Sequence, residues 1–172
     1  MNRGFTLIEL VVAILVILLL VSAVLSNYNN FNENQKVKQA ALTLKSDLRL
    51  GQTKALSAQK PTSIICDSLV GYEIVFSTVG AVSSYDIRAV CSNAGVTERA
   101  GDSEALTIRL PGGVTFSPLP NPASIIFRVL AKGISFPTEV TITLSGLAKG
   151  YQLQVSPNGD IKDLGFCVNF PC

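Results

Sequence analysis

The chain reads as an α+β protein: one long N-terminal helix packed on an antiparallel β-sheet domain. Three observations predict this. Residues 10–25 form an apolar run interrupted only by Ser22, and counted from Phe5 the run reaches the length of a membrane-crossing helix. Such a helix takes about 20 residues at about 1.5 Å each. From Gln35 onward, Val37, Ala41, Leu44, Leu48, Ala55 and Ala58 recur at helical spacing, giving a second, amphipathic half with one apolar stripe. After Pro61, short β-rich segments alternate with Gly, Ser, Asp and Asn, and no helical period separates them. A helix whose apolar stripe meets an antiparallel sheet makes the class α+β.

The first element begins oddly. Met1-Asn2-Arg3-Gly4 is short, basic and ends in glycine, and Glu9 stands one to two turns inside the apolar run. A carboxylate at the centre of a bilayer costs roughly 2.5–3.5 kcal/mol on insertion scales and less near an end, so it calls for a partner and marks a functional position. A cut after Gly4 leaves an α-amine on Phe5, one helical turn from Glu9, able to neutralise that carboxylate from the same or a neighbouring subunit. An ordinary secretory signal, cut near Val21-Ser22-Ala23, explains neither the length of the run nor Glu9. A plain anchor explains neither Gly4 nor Glu9.

Gly4-Phe5-Thr6-Leu7-Ile8-Glu9 followed by an apolar helix resembles the class III signal of type IV pilins and of the pseudopilins of type II secretion. The resemblance implies a prepilin peptidase that cuts between Gly4 and Phe5 and methylates the Phe5 amine. It implies that Glu9 guides assembly by meeting the Phe5 amine of the adjacent subunit. Its partners are then other pilin subunits in a helical filament, the peptidase and an inner-membrane assembly platform. Residues 1–4 are the leader, 5–25 the transmembrane and assembly helix, 26–60 the amphipathic continuation, and 61–172 a β domain. Arg3, the only charge before Glu9, stays cytoplasmic, which puts everything after residue 25 outside the cytoplasm. The precursor is then a single-pass inner-membrane protein, and the assembled subunit belongs to a pilus at the cell surface or to a periplasmic pseudopilus.

Residues 26–34 are polar and asparagine-rich, so a local loosening of the helix is expected there. No proline occurs before Pro61. Many major type IV pilins carry a helix-kinking proline at about Ser26; its absence leans toward a minor pilin or pseudopilin. The helix should run to about Ala58, and Pro61 stops it. Lys36, Lys38, Lys45, Asp47, Arg49 and Lys54 fall mostly off the apolar stripe, and the basic stretch from Lys36 to Lys60 reads as a solvated face.

Strands are expected at 62–66, 72–77, 85–91, 105–110, 114–117, 124–130, 140–144 and 151–156. Residues 92–103 read as a polar loop. Ser156-Pro157-Asn158-Gly159-Asp160 is a tight turn, with Asn-Gly the strongest short hairpin signal. Residues 164–172 read as a tail. The four cysteines, Cys66, Cys91, Cys167 and Cys172, all follow the apolar helix, and an even count in an exported domain favours disulfides. Three pairings are possible. Cys66–Cys91 and Cys167–Cys172 are favoured, because the first two lie in separate expected strands and the last two are close in sequence. The spacing lacks the C-x-x-C pair of a zinc site.

The stretch from Leu44 to Leu56, then Val140-Thr141-Ile142-Thr143-Leu144 and Gln152-Leu153-Gln154-Val155, is similar to the GspH/FimT-like group of minor pseudopilins. Some members of that group bind DNA through an arginine-bearing C-terminal motif beginning with glycine. Here Gly159-Asp160-Ile161-Lys162-Asp163 puts aspartates where arginines belong, and carboxylates repel phosphate, which argues against DNA as a partner through this motif.

Composition narrows the chemistry. The 172 residues carry a net charge of +2 and no histidine. Imidazole ligands and histidine-based acid–base catalysis are thereby excluded. No phosphate-binding glycine loop is present. Asp160 and Asp163 invite comparison with a calcium site, but turn carboxylates in solvent are the ordinary reading. The expectation is a structural subunit, not an enzyme, with no cofactor and no metal.

Overall fold

A computed structural model describes residues 6–62, 66–99, 105–130, 133–147 and 149–167, with the side chains of 23–30, 98 and 99 left undescribed. Among these residues there is one helix, α1 (Leu7–Leu56), and nine strands. They are β1 (Ser68–Val79), β2 (Val82–Asn93), β3 (Val96–Arg99), β4 (Leu106–Arg109), β5 (Thr115–Phe116), β6 (Ser124–Arg128), β7 (Val140–Ser145), β8 (Gly150–Val155) and β9 (Ile161–Phe166).

The helix is continuous over 50 residues. The asparagine-rich stretch at 26–34, expected to loosen, keeps a helical backbone. Asparagine costs only roughly 0.7 kcal/mol or less relative to alanine, and no proline removes an N–H there, so the flanking turns carry the helix through. It ends at Leu56, two residues before the expected stop. Ser57 caps it, donating its backbone N–H to Thr53 O, and Ala58 follows with a left-handed φ of 48°. Ala58 is therefore past the helix and exposed, not part of the stripe. The stripe itself is Val37, Ala40, Ala41, Leu44, Leu48 and Ala55, all buried. Gly51 lies in the same row. A Cβ there would stand 3.1 Å from Ile74 Cδ1, so glycine lets the helix close on β1.

The stripe packs on two sheets where one was expected. The five-stranded sheet has the order β3-β2-β1-β6, with β4 also on β2; the four-stranded sheet has the order β5-β7-β8-β9. Every pairing is antiparallel. Strands β3 and β4 take successive stretches of the same edge of β2. Phe76 of β1 meets Phe116 of β5 edge to face, centroids 5.3 Å apart, which joins the sheets. Leu44 and Leu48 share one core with Ile74 and Ile125 from the first sheet and Ile142, Leu144 and Leu153 from the second.

Polar bonds fasten the helix to the sheets at several heights. Tyr85 donates its hydroxyl to Asp47 Oδ2 at 2.6 Å. Gln52 Nε2 donates to Gly159 O at 2.9 Å, and Lys45 lies 3.5 Å from Asp163 Oδ2. Within the first sheet, Glu73 is almost fully buried and is matched by Arg88 Nε at 2.9 Å. A buried carboxylate without such a partner would be strongly destabilising.

Four local expectations are corrected. The strand expected at 62–66 is absent at its described ends, Thr62 and Cys66, and the first strand begins at Ser68. Residues 92–103 are not a loop throughout: β2 runs to Asn93 and β3 follows. Ala94 and Gly95, with φ of 48° and 87°, make the two-residue turn that suits the twist of a hairpin. The tail at 164–172 gives up its first residues to β9, which pairs with β8 from Ile161 to Phe166. The strand expected at 124–130 stops at Arg128, and Leu130 has a left-handed φ of 58°.

Candidate functional site

The candidate site is the start of α1. Thr6 sits at the N-cap with extended backbone, φ −79° and ψ 149°. Its side chain and that of Glu9 close a reciprocal box. Glu9 N–H donates to Thr6 Oγ1 at 3.3 Å. Glu9 Oε2 accepts from both Thr6 N–H and Thr6 Oγ1–H, each at 3.0 Å. The first turn of a helix leaves its N–H groups without intrahelical partners and carries partial positive charge, so an acceptor and an anion are both favourable there. Thr6-Leu7-Ile8-Glu9 ahead of an apolar run is the sequence signature of this box. The sequence reading took Glu9 from its unusual burial cost and missed Thr6.

Beyond the box, the helix is apolar on every side. Leu7, Ile8, Leu10, Val11, Val12 and the aliphatic residues on to Val21 are 44–81% exposed. A shallow apolar groove beside Glu9 is walled by Ile8, Val12 and Ala13. An ionised carboxylate offers about four acceptor positions. The two bonds from Thr6 both fall on Oε2, so acceptor capacity remains for a second, external donor. Gly4 and Phe5, the expected cleavage and methylation positions, lie outside the described residues. Among the described residues no helix is long and apolar enough to cross a membrane. The described side chains of the apolar half end at Ser22, short of the roughly 20 residues a crossing takes.

The other singled-out residues lie in the β domain. Cys66 and Cys91 form a disulfide between the segment leading into β1 and the inner face of β2, with Cα atoms 5.3 Å apart. Cys167, just after β9, is also disulfide-bonded; Cys172, its expected partner, lies outside the described residues. Asp160 sits in the β8–β9 turn. Asp163 points its bonds elsewhere: it faces Lys45 of α1 and the Tyr151 hydroxyl. Among the described residues no group of acidic or thiol ligands gathers to hold a metal. Burial alone would raise the Asp163 carboxyl. Bonds from Tyr151 and the Gly165 N–H and the nearby Lys45 ammonium outweigh it and hold the group below the usual carboxylate range. Tyr151 is pushed up to about 12, by burial first and then by Asp163. Tyr85 is pushed up in the same way, by burial and by Asp47. These groups fasten strands to the helix.

Residues 1–25 match the family model for a prokaryotic N-terminal methylation motif. The chain carries a class III prepilin signal, as type IV pilin-like proteins do, and that signal marks a substrate of prepilin peptidase. The match ends within the first half of α1 and does not reach the β domain. No curated protein and no solved structure matches the chain.

Proposed function

We propose that this chain is a structural subunit of a type IV pilus-like filament, a minor pilin, and not an enzyme. It is made as a single-pass inner-membrane precursor with its β domain outside the cytoplasm. Prepilin peptidase cuts between Gly4 and Phe5 and methylates the new amine. Membrane extraction then delivers the apolar half of α1 into the filament core, where it packs against the helices of other subunits. The observation that carries this reading is the contrast along α1: aliphatic side chains from Leu7 to Val21 are exposed all round, whereas the later stripe is buried within the chain. An exposed apolar surface of that extent needs lipid or partner helices.

Glu9 sets the register. In apolar surroundings its carboxylate is satisfied when the Phe5 amine of a neighbour arrives, and a misplaced neighbour leaves a buried charge unpaired at a cost of several kcal/mol. The same contact repeated head to tail builds a filament without closing. A pseudopilin of type II secretion uses the helix identically, and the continuous, proline-free α1 suits that role as well.

Intact mass and terminal sequencing of the exported protein test the reading. A start at methylated Phe5 is expected, and Glu9→Ala is expected to be cut normally yet to fall out of filaments. A start near Val24 would mean an ordinary signal peptide and would overturn the proposal.

A further inference from the structure

The turn between β8 and β9 carries the only Asn-Gly pair in the sequence, Asn158-Gly159. An asparagine side-chain amide can be attacked by the backbone nitrogen of the next residue, and glycine, with no Cβ, hinders that approach least. The Gly159 nitrogen would bond to Cγ of Asn158, its proton would leave with the amide nitrogen as ammonia, and a cyclic imide would close. Water then opens the ring. Entry at the side-chain carbonyl gives aspartate, and entry at the main-chain carbonyl gives isoaspartate.

The two residues of the pair are held very differently. Asn158 is exposed to water. Gly159 is buried, and both of its backbone groups are engaged. Its N–H donates to Ser156 O at 2.8 Å. Its C=O accepts from Gln52 Nε2 of α1 at 2.9 Å. The turn is fixed on either side as well: Ser156 N–H donates to Asp160 O, and Ile134 N–H donates to Pro157 O, each at 2.9 Å. Gly159 has φ 91°, and a Cβ there would stand 2.9 Å from Gln52 Nε2, so α1 rests directly on the turn.

Ring closure needs the peptide between Asn158 and Gly159 to rotate until its nitrogen faces Cγ at attack distance. That rotation breaks the bond to Ser156 and moves Gly159 off Gln52. We propose that Asn158 is a deamidation site that Gln52 holds closed while α1 is docked on the β8–β9 turn. Reaction proceeds from the locally opened turn, so its rate follows how often the turn leaves the helix. The product adds a carboxylate beside Asp160. Isoaspartate also lengthens the main chain and breaks the register of the turn, so the change, once made, loosens the contact that prevented it. The site needs only the contact between α1 and the turn and stands apart from the filament reading.

The test follows amide-to-acid conversion at Asn158 by peptide mass mapping of the full-length chain, held in detergent micelles at mildly alkaline pH. The folded chain is expected to convert roughly tenfold or more slowly than the chain in urea, because the reactive turn is seldom open. Gln52→Ala should speed conversion in the folded chain roughly fivefold, the loss of one hydrogen bond. Gln52→Glu, which keeps the size and loses the amide donor, should also speed it. Lys45→Ala removes a different bond between α1 and β9 and should leave the rate unchanged, which separates the Gln52 contact from general loosening of the domain. The proposal is overturned by equal rates in the folded and urea-unfolded chain, by no acceleration in both Gln52 variants, or by equal acceleration in Lys45→Ala.

Discussion

The two halves of α1 share one backbone and have opposite fates. Residues 37–55 bury a stripe one side wide, and the rest of that half is mostly polar or charged, with Leu42 and Leu50 the exposed exceptions among its large aliphatic residues. Residues 7–21 are aliphatic around the whole circumference and remain exposed. The difference is one of period. A stripe about 100° wide has a single complementary surface, which one β domain supplies. A helix that is apolar all round can be covered only by a medium or by several partners at once. The same backbone thus folds one half within the chain and leaves the other half for assembly.

Substitutions in the two halves sharpen that contrast. The largest effect is expected from Leu44→Ala, a fully buried position: it should lower the domain's unfolding free energy by about 2–5 kcal/mol in urea titration. Leu15→Ala, on the exposed half, should leave that value unchanged and reduce filament incorporation. Equal destabilisation by both would break the comparison. A smaller effect is expected at the cap. Thr6→Ala removes an N-cap acceptor worth about 1 kcal/mol. It should speed amide exchange in the first turn in micelles and leave the domain's melting temperature where it was.

The smallest effects are in pH dependence, and they belong to the domain half alone. Asp163 is held below its ordinary range in the folded chain. Its contribution is therefore complete above the usual carboxylate pKa and is lost as pH falls through the lowered folded value; Asp163→Asn should flatten the acid side of the stability profile. Tyr151 is raised to about 12. Its contribution is complete below the unfolded tyrosine pKa of about 10 and is lost as pH climbs from there through the folded value; Tyr151→Phe should remove that alkaline decline. The sign follows from which state binds the proton more tightly.

Long periodic features were legible in the amino-acid order. The stripe from Val37 to Ala55 needs only spacing to be seen. The Asn158-Gly159 turn did as well: Gly159 has φ 91°, and its N–H donates to Ser156 O at 2.8 Å. The hairpin at Ala94-Gly95 was hidden because alanine rarely takes a left-handed φ, so polar composition outweighed it. Strand β9 was hidden because Lys162 and Asp163 look like loop residues until Asp163 is seen to face Lys45 from a distant part of the chain. At the candidate site, Glu9 stood out by cost alone, whereas the reciprocal bonds of Thr6 become visible only when the apolar run is read as a helix with a beginning.

One feature of the helix has mechanical weight. Its hydrogen bonds run in series without a break across 50 residues, about 75 Å at helical rise. A pull at the Thr6 end travels along that rod and is handed to the sheets in shear, spread over Val37 to Ala55 and the Asp47 and Gln52 bonds. Shear over many contacts resists better than peeling at one, so tension reaches the β domain as a distributed load. The Cys66–Cys91 crosslink lies past the end of the rod and stays off the load path.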